Sequence, residues 1–426
     1  MLSLIGYSDR LSVRPGQTIE FKVSSEGVEP FHARLVRVIC ADPNPAGPGI
    51  IEHALSASFE GQYHSRVQEF YPGSYALIKA EKKLPTLSSL TLIADVWPTA
   101  VSGKTQSVIC LAGARGSLFT LMMDAEGRVG ARVEVSGQSA IVVNVGQPLT
   151  ERRWYRIWLS FDDTTNGLGV GCLPLFGGDM REAETRVGEG FDSTNIASIF
   201  IASDPERTHF NGKIDSPAIF DRVVGPDEIV NREEDGLVAR WDFSRQMSST
   251  RIEDVGPYAL HGELCNLPAR AMTGSNWDGS EMCWRHAPEQ YGAIHFHEDD
   301  IYDFDWETDF SFTIPEDLPS GVYAARIECN GHSDSIPFFV CPPKGESRAA
   351  LCVLVSTFTY AIYGNHARPD FKESWKQRIA DWNAYPHNAA EYPHYGQSTY
   401  NFHRDGSGIC HASHRRPLFT LLPGYL

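Results

Sequence analysis

Short runs of alternating apolar and polar residues, separated by turns that contain proline or glycine, recur along the first 345 residues of the chain. Ile19–Val23 and Phe310–Ile314 are two such runs. The alternation predicts half-buried β-strands, because successive side chains of a strand point to opposite faces of its sheet. About three strands are predicted in residues 1–68 and about three in residues 286–345, too few for either segment to form a stable core alone. We therefore predict one split immunoglobulin-like β-sandwich built from both segments, with two separate small sandwiches as the alternative.

The intervening residues 69–285 contain many further short strands and turns, and they form a second predicted domain. The cues are the strand Arg153–Asp162, the pattern Phe210-x-Gly212-x-Ile214-Asp215 and the arginine Arg222 that follows it. These features resemble the laminin G-like or concanavalin A-like jelly roll. The chain is thus predicted to be multidomain and mainly β, with a jelly roll inserted into the sandwich.

The sequence pattern changes in residues 346–426, which are predicted to begin an α/β domain. Ala349–Val355 is a continuous apolar run, which predicts a strand buried on both faces, as in a parallel sheet. Phe371–Asn383 has a helical period, with one apolar side formed by Phe371, Trp375, Ile379 and Trp382. One strand and one helix cannot close such a sheet. Either this domain is truncated, or a partner chain completes it.

Charge and cysteine usage narrow the classes of function. The chain has 54 acidic and 37 basic residues, a formal net charge of −17, and no run of lysine and arginine. Such a surface repels phosphate groups, so neither nucleic acid nor an anionic membrane is expected as a partner. The nine cysteines include no Cys-x-x-Cys pair, which predicts reduced thiols. The amino terminus lacks a secretory signal, and Ala349–Tyr363 is too short and polar to span a bilayer. We expect a soluble, cytoplasmic protein.

An ordered series of motifs runs through the chain. It comprises Trp241-Asp242-Phe243-Ser244, Asp254-x-Gly256-Pro257, Leu318–Ala324, Ser356–Tyr363 and Tyr395–Asn401. Together these motifs resemble the large (beta) subunit of the N,N-dimethylformamidase family. The resemblance implies an amidohydrolase that cleaves N,N-dimethylformamide, a small N-alkyl amide, to dimethylamine and formate. It also implies a mononuclear non-haem iron held by two tyrosinates and one glutamate, a small partner subunit, and a higher oligomer.

Tyr363 and Tyr400 match the two tyrosinate positions that the resemblance implies. Tyr363 follows the predicted strand, and the end of a parallel strand is where open α/β sheets place their ligands. A phenolate is a hard oxygen donor, which suits ferric iron. Tyr360 is the rival candidate for the position of Tyr363, and Tyr395 is a weaker rival of Tyr400.

The implied glutamate ligand has no counterpart in the sequence. In the family it belongs to a motif of the type His-Pro-Glu-Tyr, which does not occur in these residues. Glu373 and Glu391 are present, but we interpret both as solvated side chains. The predicted iron site therefore lacks its third ligand, and the activity of this chain alone stays open.

Several polar residues near the two tyrosines are candidates for catalysis. Four histidines could orient a ligand or act as the general base, namely His366, His387, His394 and His403. Asn365 and Asn401 could hydrogen-bond a substrate carbonyl, or they could only shape turns. We select Asn401 and His403, together with Tyr363 and Tyr400, as the predicted catalytic residues.

Two other interpretations remain open. Cys410, His411 and His414 could suggest zinc, but the second pair of ligands at regular spacing is missing. The jelly roll suggests a different class of function, a non-catalytic module that binds carbohydrate or protein, with Asp162-Asp163 or Asp204-Pro205-Glu206 as conceivable calcium ligands. Iron analysis would support the enzyme, whereas a response to glycan or calcium would support the binding module.

Overall fold

The structure is a computed structural model, and it describes residues 1–81, 84–101, 103–113, 116–134, 140–188, 196–231, 234–346, 349–368 and 371–426. The chain divides into two compact units. The first, the sandwich unit, consists of residues 1–71 and 301–426, and the second, the jelly-roll unit, consists of residues 72–300. Helices of the described residues are all too short or too polar to cross a bilayer.

Six strands form the first part of the sandwich unit. Their bounds are β1 (Leu4–Ser8), β2 (Ser12–Val13), β3 (Thr18–Ser25), β4 (Phe31–Cys40), β5 (Ile51–Leu55) and β6 (Gly61–Tyr63).

The jelly-roll unit follows in the chain, and nearly all of its regular elements are strands. Their bounds are β7 (Tyr75–Lys79), β8 (Leu90–Pro98), β9 (Gln106–Gly113), β10 (Leu118–Met123), β11 (Arg128–Glu134), β12 (Ile141–Pro148), β13 (Tyr155–Asp162), β14 (Gly167–Pro174), β15 (Arg181–Arg186), β16 (Ile196–Ile201), β17 (Gly212–Phe220), β18 (Leu237–Asp242), β19 (Arg251–Asp254), β20 (Gly262–Cys265), β21 (Ala269–Met272) and β22 (Ala293–Phe296). A short helix, α1 (Pro226–Asn231), and a 3-10 turn, Pro288–Tyr291, complete this unit.

The second part of the sandwich unit contains three more strands and two helices. Their bounds are β23 (Phe310–Thr313), β24 (Gly321–Cys329), β25 (His332–Val340), α2 (Thr357–Tyr363) and α3 (Glu373–Asp381). Three 3-10 turns follow, at Ala389–Glu391, Pro393–Tyr395 and Phe419–Leu421.

The split sandwich that the alternating runs predict is confirmed. One sheet has the strand order β1-β3-β23 and the other β2-β25-β24-β4-β5, with β6 also paired to β4. Strands from the two distant segments are direct neighbours, since Phe310 lies opposite Phe21 and Val322 lies opposite Val38. The inward side chains of both sheets share one core, in which the rings of Phe21 and Phe310 stack with centroids 5.0 Å apart. The insertion therefore leaves the sandwich intact because both halves contribute to the same apolar interior.

The jelly-roll unit is one continuous antiparallel sheet folded over one main core, with two smaller apolar clusters beside it. Its strand order is β12-β11-β10-β9-β16-β7-β20-β19-β18-β17-β8-β13-β14-β15, with β22 paired to β17 and β21 to β22. The core side chains come from strands along the whole path, and they include Ile78, Leu92, Leu121, Ile157 and Trp241. Strand β22 lies within residues 286–345, which the sequence assigned to the sandwich, but its partner is β17 of this unit.

Residues after β25 differ from the predicted start of a parallel sheet. Leu351–Val355 form no strand, and the side chain of Leu354 is 93% exposed. A strand needs a neighbouring strand to satisfy its backbone groups, and no described strand lies beside this run. The predicted helix at Phe371–Asn383 is present as α3.

The last residues of the chain pack on the sandwich instead of forming a core of their own. Tyr395 and Phe419 share an apolar cluster with Ile5 and Tyr7 of β1 and with Trp306. This shared cluster is why residues 384–426 belong to the sandwich unit. It also gives the loops around residue 400 a fixed support.

Candidate functional site

Tyr363 and Tyr400, the two predicted iron ligands, lie side by side in the sandwich unit. Tyr363 is the last residue of α2, and Tyr400 lies in the turn that follows Ser398. Their rings are nearly parallel, with centroids 4.4 Å apart and an interplanar angle of 21°. Both phenols are open to solvent, with 44% and 55% of each residue exposed. We call these two residues the tyrosine pair.

Hydrogen bonds between the two chain segments hold the tyrosine pair together. The Ser398 hydroxyl donates to the carbonyl oxygen of Ile362 at 2.7 Å. The side-chain amide of Asn401 bonds both backbone groups of Ala367, accepting from its N–H at 3.0 Å and donating to its carbonyl oxygen at 2.8 Å. Each contact lies one to four residues from a tyrosine, so the two chain segments that carry the phenols cannot separate without breaking these hydrogen bonds. Asn401, predicted to be catalytic, thus has its side chain in a structural role in this structure.

Arg416 is a buried support beneath both segments. Its guanidinium donates to the carbonyl oxygens of Tyr395 at 3.0 Å, Gln397 at 3.0 Å and Gly364 at 3.4 Å. Burial lowers the pKa of Arg416 to about 10, so the side chain keeps its charge at neutral pH. Gly396 permits this approach, because a Cβ at that position would lie 2.2 Å from the Arg416 guanidinium and its φ is +80°. The arginine therefore links the residue after Tyr363 to the loop before Tyr400.

Asn365 provides a second buried link at the end of α2. Its side-chain oxygen accepts from the N–H of Phe419 at 2.8 Å, and its amide donates to the carbonyl oxygen of Pro417 at 2.9 Å. Its φ is +59°, a left-handed conformation that asparagine tolerates better than most residues. The sequence left two roles open for Asn365, hydrogen-bonding a substrate carbonyl or shaping a turn. In the structure its side chain bonds backbone groups, which agrees with the second role.

The two phenols influence each other's ionisation. A hydrogen bond with Tyr400 is the main cause that raises the pKa of Tyr363, and repulsion between two phenolates adds to it. Two phenolates this close repel each other in the absence of a cation. A cation bound between the oxygens would remove that repulsion, so the pair is suited to a positively charged ligand.

His366 is the histidine that the structure places beside the tyrosine pair. Its ring lies edge-on to both phenols, with centroids 6.1 Å from Tyr363 and 6.2 Å from Tyr400. Within the described part of the chain, its Nδ1 atom is buried and has no hydrogen-bond partner. A buried nitrogen without a partner costs free energy unless a ligand or water satisfies it.

The other predicted histidines lie elsewhere or serve the fold. The ring of His394 is tilted against that of Tyr395, with centroids 4.6 Å apart, and His387 packs edge-on to Tyr392 at 5.6 Å. Burial lowers the pKa of both imidazoles. His403, predicted to be catalytic, is buried, and its backbone N–H donates to the carbonyl oxygen of Ser407 at 2.8 Å.

The rival tyrosines have other contacts. Tyr360 stacks on Phe339 of β25, with ring centroids 5.8 Å apart. Tyr395 is fully buried, and its hydroxyl accepts from the N–H of Leu2 at 3.0 Å. Burial raises the pKa of Tyr395 far above its ordinary value, which disfavours a phenolate there. The geometry therefore favours Tyr363 and Tyr400 over both rivals.

A carboxylate at the tyrosine pair is absent from the described residues. No Asp or Glu of the described ranges hydrogen-bonds to either phenol, and the carboxylate of Glu391 faces Lys376 at 3.9 Å. Glu373 begins α3 as its first-turn acidic residue. Both glutamates match the solvated side chains that the sequence predicted.

The features that suggested zinc or calcium have local partners. A ring nitrogen of His414 is 3.2 Å from the carbonyl oxygen of Asp9, and Cys410 is exposed. In the jelly-roll unit, Asp162 accepts from Thr165 and Asp204 accepts from Ser107. Asp162 thus stabilises its own turn, and Asp204, which also accepts from the N–H of Thr208, joins its turn to β9, so the structure gives no support to either as a calcium ligand.

The residues that hold the tyrosine pair in place were not predicted from the sequence. Arg416 and Ser398 are ordinary residues of a polar loop in the sequence, and their importance comes from backbone carbonyls far along the chain. No short-range pattern encodes such contacts. Gly396 and Ser398 lie within the motif Tyr395–Asn401, which was the available signal for these two residues.

Two family models match different parts of the chain. Residues 269–426 match the family described as N,N-dimethylformamidase beta subunit-like, C-terminal. Residues 72–230 match the concanavalin A-like lectin/glucanases superfamily, which confirms the predicted jelly roll. A putative carbohydrate binding protein from Bacteroides ovatus shares 12% identity at a TM-score of 0.34, covering 62% of this chain and 91% of that chain. A likeness at that level carries no argument about function.

Two curated relatives match along almost the whole chain. The N,N-dimethylformamidase beta subunit of an Alcaligenes species is 33% identical over 462 aligned positions, which cover 99% of this chain and 60% of that protein. The subunit of the same name from Paracoccus aminophilus is 32% identical and covers 98% of this chain and 60% of its own length. The chain thus spans about three-fifths of the length of these relatives. The ordered motifs, the family match over residues 269–426 and the two relatives agree, and the chain is similar along nearly its whole length to N,N-dimethylformamidase beta subunits.

Proposed function

We propose that this chain is part of the large subunit of an amidohydrolase that cleaves N,N-dimethylformamide to dimethylamine and formate. The single observation that carries the proposal is the tyrosine pair, in which two residues 37 positions apart place their phenols in contact. The names of the two relatives supply the reaction and the substrate class. A small subunit and a higher oligomer are part of the same proposal.

The tyrosine pair is chemically suited to bind a mononuclear non-haem iron, for which it would supply two protein ligands. Phenolate oxygens are hard donors and match ferric iron. Iron bound there would supply a Lewis acid for the amide carbonyl and for water. The implied glutamate is missing from the motifs of this chain, so a third ligand must come from outside the described contacts.

The residues of the chain contribute position and protonation. Tyr363 and Tyr400 present their phenols side by side, and each phenol would release its proton to solvent when a cation binds its oxygen. Arg416 and Ser398 fix the distance between them, because both bond the backbone beside the tyrosines. His366, with its unpartnered Nδ1 atom, is the candidate to accept a proton from water beside the pair.

Substitution of each tyrosine tests the proposal. We expect the purified protein, produced with iron and with a small subunit, to show a visible tyrosinate-to-iron absorption band. Tyr363→Phe and Tyr400→Phe remove one donor oxygen each and keep the ring, so each should reduce bound iron and weaken or shift the band. Iron content and the visible spectrum are the measurements.

Tyr360→Phe is the matched control, because Tyr360 lies on the same helix and packs on Phe339 away from the pair. It should keep iron and colour. Loss of neither iron nor absorption in Tyr363→Phe and Tyr400→Phe would rule out the tyrosine pair as the metal site.

A further inference from the structure

A cavity of about 160 Å³ lies on the outer face of the jelly-roll sheet, between strands β8 and β17 and the short helix α1. Its apolar walls belong to a small cluster that is separate from the main core of this unit. They comprise Ile93, Ala218, Phe220, Val224 and Ile229. An apolar cavity of about 150 Å³ admits a benzene molecule, so this one accommodates a ligand of about six non-hydrogen atoms. We call it the outer-face cavity.

A β-bulge in β17 shapes one wall of the outer-face cavity. The register of β17 against β8 shifts between Asp215 and Ala218, and Ser216 between them has a φ of +48°. The extra residue lets Asp215 and Ala218 point to the same face of the sheet, because their partners on β8 are Asp95 and Ile93. A left-handed conformation is uncommon for a residue other than glycine, and bulges of this kind often direct side chains into functional sites.

The floor of the outer-face cavity carries a buried ion pair. The side chains of Arg156 and Asp95 are 6% and 3% exposed, and both line the cavity. The guanidinium donates from Nε and Nη2 to the two oxygens of Asp95, and from Nη1 to the carbonyl oxygens of Ile229 and Val230. Each Nη atom carries two N–H groups, so one N–H of Nη2 has no acceptor among the described residues. A buried donor of this kind costs free energy unless a ligand or water accepts from it.

The charges around the outer-face cavity are balanced. Each charged side chain that lines it has a partner of opposite charge. The three pairs are Asp95 with Arg156, Glu228 with Arg222, and Glu234 with Arg240. An ion that entered the cavity would lose its hydration without meeting an unpaired counter-charge, which is costly. The cavity is therefore suited to a neutral ligand that has one hydrogen-bond acceptor and an apolar remainder.

We propose that the outer-face cavity is a binding site for a small neutral carbonyl compound, namely an amide or ketone with short alkyl groups. The carbonyl oxygen accepts from the remaining N–H of Arg156, and the alkyl groups contact Ile93, Ala218 and Phe220. This site belongs to the jelly-roll unit, whereas the tyrosine pair belongs to the sandwich unit. The inference therefore does not rest on the proposed iron or on the proposed hydrolysis of an amide.

A titration with N,N-dimethylacetamide, which has six non-hydrogen atoms, tests the inference. The full chain carries isotope labels in its isoleucine methyl groups, because Ile93 and Ile229 both line the cavity and report on its contents. We expect the methyl signals of these two residues to shift in a saturable manner, with a dissociation constant of about 1 mM. Isobutyrate has the same number of non-hydrogen atoms and a negative charge, and it should bind about ten-fold more weakly or less.

Substitutions assign the binding to this cavity. Ala218→Leu fills the cavity and should weaken binding about ten-fold or more. Ala112→Leu is the matched control, because Ala112 lies in the other small apolar cluster of the same unit, and it should leave binding unchanged. Circular dichroism of each variant shows whether the fold is kept.

Arg156→Lys tests the polar contact independently of the cavity volume. It keeps a positive charge beside Asp95 but removes the second N–H of Nη2, so binding of the amide should also weaken about ten-fold. Tyr400→Phe should leave the titration unchanged, since Tyr400 does not line the cavity. A failure of this inference is thus distinguishable from a failure of the proposed function.

Four outcomes would overturn the inference. In the first, the methyl signals of Ile93 and Ile229 stay unchanged up to about 50 mM amide. In the second, isobutyrate binds as tightly as the amide. In the third, folded Ala218→Leu and Arg156→Lys variants bind like the original chain. In the fourth, Tyr400→Phe abolishes the shifts, which would assign the ligand to the tyrosine pair.

Discussion

Two apolar runs of this molecule differ in burial: one is a buried strand and the other is exposed. Leu90–Pro98 forms β8 in the middle of the jelly-roll sheet, with strands on both sides, and Leu92 is fully buried. Leu351–Val355 is also rich in strand-forming residues, but it pairs with no strand of the described residues, and Leu354 is 93% exposed. An apolar run is stabilised by burial, and in this comparison the run that pairs with neighbouring strands is the one that is buried.

The helices repeat this contrast. In the jelly-roll unit, the six-residue helix α1 buries Ile229. In the sandwich unit, α3 is longer and carries a regular apolar stripe, yet none of its residues is buried. Length and periodicity therefore do not measure how much a helix contributes to stability. Contact with a core does.

The largest expected effect is the loss of the buried ion pair in the jelly-roll unit. Arg156 binds both carboxylate oxygens of Asp95 at 2.8 and 3.0 Å, and both residues are almost fully buried. Arg156→Leu removes the cation beside the buried Asp95 carboxylate, which keeps the hydrogen bond from the Ser275 hydroxyl, so the free energy of unfolding should fall by about 3–5 kcal/mol in urea denaturation. Arg378→Leu in α3 removes only exposed stacking on Trp375 and Trp382 and should cost below about 1 kcal/mol. Equal losses from the two substitutions would contradict the contrast between the regions.

A pair of leucine truncations tests the same contrast in apolar packing. Leu92→Ala opens a cavity in the jelly-roll core and should lower the free energy of unfolding by roughly 2–5 kcal/mol. Leu354→Ala removes a side chain that is already in water, so the change should stay within about 0.5 kcal/mol. Both values come from the same urea titration followed by tryptophan fluorescence. A large loss for Leu354→Ala in this chain alone would show that Leu354 is packed.

The smallest expected effect concerns a buried lysine and its dependence on pH. Burial lowers the pKa of Lys213 to about 8. In the unfolded chain a lysine titrates near pH 10.4, so the unfolded state binds more protons than the folded state between these values. Stability should therefore rise by roughly 2–3 kcal/mol as pH increases from about 8 to about 10.5.

Lys213→Met should remove this rise, whereas Lys376→Met on the exposed helix α3 should keep it. The measurement is the midpoint of urea unfolding at intervals across that pH range. A rise of the same size in Lys213→Met would assign it to other groups.

Much of the fold followed from local patterns. Alternating runs such as Ile19–Val23 predicted the sandwich strands, and the small size of each half predicted that they combine, which the pairing of Phe21 with Phe310 confirms. The jelly roll was predicted from its strands and turns. The boundary near residue 286 was less well defined by the sequence, because β22 has an apolar pattern that suits either unit and only its pairing with β17 assigns it.

The residues of the candidate site also fall into two groups, those that the sequence predicted and those that only the structure identified. The resemblance selected Tyr363 and Tyr400, and the structure brings their rings to 4.4 Å. The resemblance could not select Arg416, since an arginine that donates to three distant carbonyl oxygens has no sequence signature. Asn401 and His403 stay predictions as catalytic residues, with Asn401 held in a backbone contact.

The sequence by itself determined which segments favour strand structure, which residues carry oxygen donors, and which family the chain resembles. Those properties depend on near neighbours along the chain, where side-chain periodicity and motif order are visible. Only the tertiary structure decided which apolar segments are covered and which backbone groups hold the tyrosine pair. Burial and hydrogen bonding are set by residues far away in sequence, and for this reason Leu92 and Leu354 cannot be told apart from their local sequence alone.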